Sequence, residues 1–282
     1  MSKVYQIITD QIIDQLDKGT IPWRKPWTGQ EMPSNYCTKK QYRGINTFIL
    51  GLSEYNSSKW LTFKQAQVIG AQVRKGEKSS MVVFYKPFFS KDSIPDDEKR
   101  KVEGFMLRYY RVFNTEQVDG LPEQETIDPE IFDHKPIECC EQIVRDMPNT
   151  PKLVFDEQRA YYRPSRDVVN MPKFDSFPIT EEYYSTLFHE LAHSTGHESR
   201  LNRKGITELN HFGSHEYTRE ELVAEMTASM LCGVTGIDSV TLTNSASYID
   251  GWRKKISKDI KLVITAAAQA QKAADYIQGV TV

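Results

Sequence analysis

Apolar residues recur every three or four positions near the start of the chain, which is the period of one helix face. The pattern runs through residues 3–18 and stops at Gly19, so it predicts an amphipathic helix that ends there. Its apolar positions are Val4, Ile7, Ile8, Ile12, Ile13 and Leu16.

Two later runs have the composition of strands. Residues 80–85 (SMVVFY) and 105–113 (FMLRYYRVF) are rich in β-branched and aromatic side chains, which favour strands. The polar stretch 90–103 predicts an exposed connection, so the two runs are interpreted as an antiparallel pair. A short helix is expected to begin near Thr62, with Gln65 completing a capping box. Together these elements predict a small α+β domain over residues 1–114.

The second half of the chain has its own set of elements. Residues 115–136 are acidic and contain three prolines, a composition typical of a linker. Helical patterns follow at 137–146, around 186–197, from about Thr218, and at 246–277, while short strands are predicted at 152–155, 160–163 and 168–171. The fold class is therefore predicted as α+β, with a second domain over residues 137–282.

The predicted helix around 186–197 carries the sequence HELAH, an H-E-x-x-H motif at His189, Glu190 and His193. Residues four apart on a helix differ by about 40°, so both imidazoles lie on one face and can bind one metal ion. Thr180 is a plausible N-cap for this helix and Gly196 a natural residue just beyond its end.

Glu190 lies about 100° around the helix from His189, beside the open side of such a metal. There it can take a proton from a bound water, which makes it the candidate general base. Zn²⁺ is the expected ion, and another divalent metal is possible. The alternative interpretation is two partly buried histidines and a surface glutamate. Five of the six histidines lie between 189 and 215, which favours the metal site.

A catalytic zinc site commonly has three protein ligands and one water. A third histidine in metzincin spacing is excluded, because that position is Ser199. We expect Glu221 on the second helix to be the third ligand, and Glu225 to accept a hydrogen bond from a ligand histidine. Glu225 itself, or a histidine at 197, 211 or 215, remains possible. Thr218 and Glu221 also have capping-box spacing, which is a purely structural alternative.

Charge is distributed unevenly along the 282 residues. Residues 1–115 carry 19 Lys and Arg against 11 Asp and Glu, a balance of 19 − 11 = +8, and residues 116–282 carry 17 against 27, or −10. A basic module commonly meets a polyanion, with nucleic acid as the first candidate. The alternative is an unevenly charged but merely solvated surface.

The segment IPWRKPW at 21–27 places two tryptophans beside two cations, a combination suited to single-stranded DNA. The alternative is that its tryptophans pack a loop onto the core. Two further basic segments extend the candidate surface. The candidate nucleic-acid-binding residues are Trp23, Arg24, Lys25, Trp27, Lys39, Lys40, Tyr42, Arg43, Arg74 and Lys75.

The composition indicates no membrane segment and no disulfide framework. No apolar run reaches 18 residues, and the N-terminus does not have the pattern of a signal peptide. The four cysteines lack C-x-x-C spacing, so free thiols in a reducing compartment are expected. These features favour a cytoplasmic protein that does not enter a membrane.

The chain resembles the ArdC-type antirestriction proteins of conjugative plasmids and transposons along nearly its whole length. The matching N-terminal segments are IPWRKPW at 21–27, YRGIN at 42–46, WLTF at 60–63, KGE at 75–77 and YRVFN at 110–114. The C-terminal ones are AYY at 160–162, TLFHELAH at 186–193, TGH at 195–197, RLNR at 200–203 and EELVAE at 220–225.

This resemblance implies an N-terminal single-stranded-DNA-binding domain joined to a C-terminal zincin-like metallopeptidase domain of gluzincin or SprT-like type. It also implies that the protein protects DNA entering a cell from restriction. The expected partners are single-stranded DNA and an unidentified protein substrate. The alternative function is a non-catalytic DNA-binding or replication accessory protein whose metal site is structural or vestigial.

Overall fold

The computed structural model describes residues 2–23, 32–53, 55–89, 102–122, 136–208, 215–237 and 246–280. The helices and strands of the N-terminal half are α1 (Ser2–Asp17), β1 (Ser34–Asn35), α2 (Ile45–Gly51), β2 (Lys59–Leu61), α3 (Phe63–Val68), β3 (Gln72–Val73), β4 (Ser80–Phe89), β5 (Val102–Asn114) and β6 (Val118–Asp119). Those of the C-terminal half are α4 (Pro136–Asp146), β7 (Lys152–Val154), β8 (Tyr161–Arg163), β9 (Val168–Asn170), α5 (Thr180–Ser194), α6 (Lys204–Thr207), α7 (His215–Thr235), α8 (Ala246–Lys258) and α9 (Leu262–Ile277). The predicted α+β class is confirmed.

The N-terminal half is built on a sheet with the strand order β1-β2-β5-β4. Strands β4 and β5 form the predicted antiparallel pair, in one register from Ser80 opposite Val112 to Phe88 opposite Gly104. The register then shifts by one residue, so that Phe89 lies opposite Val102. Both strands are longer than expected: β4 continues to Phe89, and β5 begins at Val102, inside the predicted 90–103 connection. Helix α3 begins with the predicted capping box, in which Thr62 accepts from the backbone of Gln65.

The linker predicted at 115–136 begins with structured residues. Asn114 and Gln117 are both fully buried and form a capping box around a single 3-10 turn. Strand β6 then pairs with β3, with Val73 opposite Val118. Residues 115–119 therefore belong to the N-terminal half, residues 123–135 lie outside the described part, and the division of the chain into domains at these points stays a prediction.

Helix α1 connects the two halves of the molecule. Its residues Ile8, Ile12 and Leu16 are at most 1% exposed and belong to one core cluster with Phe188 of α5 and Leu231 of α7. Burying each such side chain contributes roughly 1.5–3 kcal/mol. The N-terminal helix is thus held by apolar packing against the half that carries the H-E-x-x-H motif.

The C-terminal half places three helices around this core, with α7 packed against both α5 and α9. Its small sheet has the order β7-β9-β8, so β8 lies at the edge. Two helix starts differ from expectation. Ile179, with extended backbone, is the N-cap of α5, so Thr180 is already helical. Helix α7 begins at His215, three residues before the predicted start.

The helix predicted over 246–277 is broken into α8 and α9 between Lys258 and Leu262. Among the helices of the described residues, none is both long and apolar enough to cross a membrane.

Candidate metal centre

Helix α5 places its two motif histidines together, as the four-residue spacing predicts. The Nε2 atoms of His189 and His193 are 3.2 Å apart, and their rings are nearly perpendicular. Leu187 and Leu191, at 3% and 0% exposure, pack the opposite side of the helix into the core. Burial of that side leaves the histidine side facing a cleft.

Helix α7 brings a carboxylate to the same point. Glu221 Oε2 lies 3.8 Å from His189 Nε2, and Glu221 Oε1 lies 3.6 Å from His193 Nε2. Three ligand atoms at 2.0–2.1 Å around a tetrahedral ion would be roughly 3.3 Å apart. The spacing and the two-imidazole, one-carboxylate donor set therefore fit a zinc-type metal site. Because Thr218 lies inside α7, the capping-box alternative for Glu221 does not apply.

The hydrogen-bond partner of His193 is Glu220, whereas the sequence predicts Glu225 as the acceptor for a ligand histidine. Glu220 Oε1 lies 3.4 Å from His193 Nδ1, on the ring side away from the cleft. A proton on Nδ1 directed at this carboxylate leaves the Nε2 lone pair free for a metal. Burial lowers the pKa of His193, but the Glu220 hydrogen bond and charge outweigh burial and raise it.

Glu220 is held in turn by Arg203. The guanidinium donates to both carboxylate oxygens, at 2.9 Å from Nε and 2.5 Å from Nη2, and both side chains are under 10% exposed. Burial raises the pKa of Glu220, but Arg203 and His193 outweigh it and lower the pKa to about 2. Arg203 also donates to the Thr195 hydroxyl and the Ala192 carbonyl, which ties the pair to the end of α5.

Two glycines allow this close packing. A Cβ at Gly196 would lie 2.5 Å from a side-chain carbon of Ile206 and 3.1 Å from Arg203. At Gly205 it would lie 2.9 Å from Glu220 Cβ. Gly196 does follow the C-cap of α5, as expected, but its φ is not positive. Space, rather than left-handed backbone, is what requires glycine there.

We call His189, His193 and Glu221 the metal-ligand group. Glu190 lies beside this group and is 8% exposed. Burial raises its pKa, as does the nearby charge of Glu221, whereas His193 and a backbone hydrogen bond from Tyr162 act in the opposite direction. Because Tyr162 belongs to edge strand β8, this hydrogen bond links the candidate base to the strand along the cleft. A buried carboxylate with a raised pKa is suited to accept and return a proton.

The metal-ligand group opens into a cleft of about 890 Å³, which we call the metal cleft. Strand β8 lines one side through Tyr161 and Tyr162, and Tyr217 of α7 lines another. Burial, with the charge and hydrogen bond of Glu221, raises the pKa of Tyr217 to about 12. No sequence motif identifies Tyr217 as a site residue, although its position four residues before Glu221 places it on the same helix face.

His197 and His215, the described histidines that follow α5, do not join His189, His193 and Glu221. His197 Nδ1 lies 2.8 Å from the Ser199 hydroxyl, and His215 Nε2 lies 3.1 Å from Asp259. His211 lies outside the described residues. Among those that are described, the group that can hold a metal ion combines His189, His193 and Glu221, with their ligand atoms within 4.8 Å of one another.

Glu225 instead binds residues from both halves of the chain. The indole N–H of Trp23 donates to Glu225 Oε2 at 2.8 Å, and the Tyr248 hydroxyl donates to Oε1. Trp23 is fully buried and packs edge-on against Trp252. The prediction that Trp23 stacks on nucleic acid is therefore wrong, because its faces are covered by the core.

Several other predicted DNA contacts are occupied within the chain. Tyr42 is only 7% exposed, Arg43 pairs with Asp275, and Arg74 pairs with Glu77 at 3.0 Å. The exposed members of the predicted surface include Lys39, Lys40 and Lys75. Arg24, Lys25 and Trp27 lie outside the described residues.

Two protein-family models match the sequence. Residues 2–113 match the N-terminal domain of the anti-restriction factor ArdC, and residues 140–269 match a zincin-like metallopeptidase domain.

Comparison with individual proteins gives matches over nearly the whole chain. Crystal structures of the antirestriction protein ArdC from plasmid R388, metal-free and Mn(II)-bound, superpose with TM-scores of 0.76 and 0.77 at 36% identity. The superpositions cover 97% and 98% of this chain and 96% and 97% of those chains.

Two curated relatives are proteins of Escherichia coli named DNA primase TraC, 37% and 35% identical over 97% of this chain. The chain spans only 20% and 27% of their lengths. It spans 91% of the uncharacterised protein y4eC of Sinorhizobium fredii, at 33% identity.

Proposed function

Because the chain belongs to the family of ArdC antirestriction proteins, we propose that it is a metal-dependent peptidase that also binds single-stranded DNA. Its proposed role is to protect the DNA of a mobile element as it enters a cell. The observation that carries the peptidase proposal is the convergence of His189, His193 and Glu221 beside the buried Glu190.

The metal would be held by both histidine Nε2 atoms and by the carboxylate of Glu221. When bound, a Zn²⁺ ion would lower the pKa of a water toward about 7 and polarise the substrate carbonyl. Another divalent ion would fit the same donor set, and the ArdC structure described as Mn(II)-bound supports that possibility. Glu220 and Arg203 would keep His193 in the tautomer that presents Nε2.

Glu190 would act as the general base and then as the general acid. Its carboxylate would accept the proton of the attacking water and return a proton to the leaving amine. Burial raises the pKa of Glu190, which favours uptake of the water's proton by this carboxylate. The Tyr162 backbone hydrogen bond would keep the carboxylate beside the cleft.

The peptide substrate would lie along edge strand β8. Of the two edges of β8, the one opposite β9 has no strand paired to it in the described sheet, so an extended peptide can add there through backbone hydrogen bonds. Tyr217 would donate its hydroxyl to the oxyanion that develops on the scissile carbonyl. Its position on the cleft wall supports this role. The hydroxyl proton that Tyr217 donates to Glu221 would have to turn toward the oxyanion.

The second candidate function is a DNA-binding or replication accessory protein whose metal site has only a structural role. The names of the two Escherichia coli relatives favour it, because both are called DNA primases. The chain matches only a part of each relative, so the priming activity in those names can belong to their other regions.

A Glu190→Gln variant tests the peptidase proposal. Hydrolysis of unfolded casein, used as a generic probe, should fall roughly 10²- to 10⁴-fold, and metal content should stay equal to that of the wild-type protein. Glu198→Gln is the matched control, because it removes one charge from the same cleft and should leave hydrolysis unchanged. Chelation of the metal should abolish hydrolysis in all variants.

Transfer of plasmid DNA into a restricting host tests the link between peptidase chemistry and protection. Glu190→Gln should protect less well than wild type. If it protects equally well, or if the wild-type protein with bound metal cleaves no casein, the accessory-protein alternative is favoured.

A further inference from the structure

Exposed aromatic side chains concentrate on the long hairpin of β4 and β5. Phe84, Tyr85, Tyr109 and Tyr110 are 41%, 43%, 47% and 38% exposed. Side chains of this size are normally buried in a core, so a group of them on one pair of strands marks a surface built for contact.

The strand register divides these residues between two faces. Directly opposed residues share a face, and Phe84 lies opposite Arg108 while Val82 lies opposite Tyr110. Alternation along β4 places Lys86 on the same face. We call the surface formed by Phe84, Lys86, Arg108 and Tyr110 the Phe84 face.

The opposite face of the hairpin packs onto the main core. Val83 and Leu107 lie there, at 5% and 4% exposure, and belong to the cluster that includes α1. Tyr109 shares this opposite face, at its exposed margin. Val82 and Val112 continue the side of the hairpin that carries Phe84 and are 0% exposed in a second core cluster with Tyr42 and Trp60. This side is therefore covered by the core at Val82 and Val112 and open to solvent at the Phe84 face.

The two rings of the Phe84 face are held in place. The ring centroids of Phe84 and Tyr110 are 5.7 Å apart, with planes inclined by 57°. The buried Tyr42 hydrogen-bonds Tyr110, and Tyr42 is itself held by Asn35. Rings that are already ordered lose little conformational entropy when a flat partner stacks on them.

The charge of the hairpin is entirely positive over its described side chains. Residues 80–86 and 106–112 contain Lys86, Arg108 and Arg111 and no Asp or Glu. Within the described part of the chain, neither Lys86 nor Arg108 has a carboxylate within ion-pair distance. In contrast, Arg43 is already paired with Asp275.

We propose that single-stranded DNA binds across the Phe84 face, with bases stacked on Phe84 and Tyr110 and phosphates beside Arg108 and Lys86. Aromatic rings beside cations recognise single strands without sequence preference, because every base has a flat face and every nucleotide a phosphate. The faces of paired bases are covered in a duplex, so the exposed rings select single strands. This inference rests on the DNA-binding part of the proposed function.

Binding of fluorescent oligothymidylate, followed by anisotropy, tests the assignment. The double variant Phe84→Ala with Tyr110→Ala should bind at least tenfold more weakly, with an unchanged salt dependence. Arg108→Ala should reduce the slope of log affinity against log salt by about 0.7, the value of one phosphate contact on a single strand. Phe84→Trp should retain wild-type affinity.

Tyr109→Ala is the matched control, because it removes a ring at least as exposed as Phe84 and Tyr110 from the opposite face of the same hairpin. Its affinity should stay within about twofold of wild type. Equal affinities for wild type, the double variant and the control would overturn the assignment while leaving DNA binding itself intact.

Two further measurements separate the remaining outcomes. Light scattering that shows a wild-type oligomer dissociated by the double variant, with DNA affinity unchanged, would identify the Phe84 face as a contact between copies and overturn the proposal. If the wild-type protein binds no oligothymidylate, both the assignment of the Phe84 face and the DNA-binding part of the proposed function are wrong. Casein hydrolysis should be unchanged in the double variant, since the Phe84 face lies outside the metal cleft.

Discussion

The charged residues behind the metal cleft are buried and paired, whereas those on the Phe84 face are exposed and not paired with a described carboxylate. Behind the cleft, Arg203 and Glu220 are 7% and 6% exposed and joined by two hydrogen bonds. On the hairpin, Arg108 and Lys86 are exposed and have no carboxylate of the described residues within ion-pair distance.

This difference corresponds to two kinds of task. A buried pair costs several kcal/mol to desolvate and stays where the fold places it, so it can orient a metal ligand. An exposed cation costs little and remains available to a phosphate that releases counterions on binding. Variants behind the cleft should therefore change stability and metal affinity, and variants on the hairpin should change DNA affinity alone.

The largest effect is expected for Arg203→Ala. It leaves the carboxylate of Glu220 buried without its cation, which should lower the free energy of unfolding by about 3–5 kcal/mol. Metal affinity should fall roughly ten- to a hundredfold, because His193 loses its orienting partner. Chemical denaturation and a competitive zinc chelator measure the two effects.

Lys204→Ala is the control for Arg203→Ala. Its side chain is 77% exposed in a pair with Glu208, so both quantities should stay close to wild type. An Arg203→Ala protein with wild-type metal affinity would show that the pair has no part in positioning His193.

Trp23→Ala should have the next largest effect, about 3–5 kcal/mol of lost unfolding free energy, as for other buried large aromatic residues. Its affinity for oligothymidylate should remain that of wild type where the variant is folded. Trp23→Phe, which keeps a ring but loses the donor to Glu225, should cost less. If Trp23→Ala weakens DNA binding without lowering stability, Trp23 contacts DNA and does not serve as a core residue.

The metal site shows which contacts can be predicted from the sequence and which cannot. His189, His193 and Glu190 lie within one helical turn, so the spacing alone predicts their arrangement. On α7, Glu221 and Glu225 lie about 40° apart, whereas Glu220 lies about 100° from Glu221. The one-turn spacing from Glu221 predicts Glu225 as the acceptor for a ligand histidine. The packing angle between α5 and α7 instead brings Glu220 to His193, and no local pattern encodes that angle.

The nucleic-acid prediction relied on composition rather than geometry. Tryptophan beside cations is typical both of a stacking surface and of a packed loop. The partner that decides between them, Glu225, lies 202 residues away from Trp23. Composition identifies β4 and β5 as strands, but the side chains that the core covers depend on packing against α1 on one face and against Tyr42 and Trp60 on the other. The Phe84 face could therefore not be identified from the sequence.

Asp167→Asn gives a smaller effect that depends on pH. Asp167 accepts two hydrogen bonds from Arg200, whose side chain is 1% exposed, and one from Tyr162. Burial raises the pKa of Asp167, but these partners outweigh it and lower the pKa below 3.8. The variant should lose about 1.5–3 kcal/mol at neutral pH, as for hydrogen bonds to charged groups.

The sign of this pH dependence follows from the lowered pKa. The carboxylate contributes its full stability above pH 3.8, its unfolded value, and loses it as the pH falls through the folded-state pKa. The stability difference between wild type and Asp167→Asn should therefore be constant from pH 5 to 7 and shrink below about pH 4. Urea denaturation at several pH values measures it. A difference that grows on acidification would contradict the assigned ion pair.

The smallest effect is expected for Arg43→Ala. Arg43 is 47% exposed and paired with Asp275, and such pairs contribute about 0–1 kcal/mol to stability. Because this guanidinium is already occupied, oligothymidylate affinity and its salt slope should both stay at wild-type values. Arg108→Ala, measured in parallel, should lower the slope. If Arg43→Ala lowers the salt slope by as much as Arg108→Ala does, a phosphate must displace Asp275 from Arg43. An ion pair within the chain would then not distinguish the cations that bind DNA from those that do not.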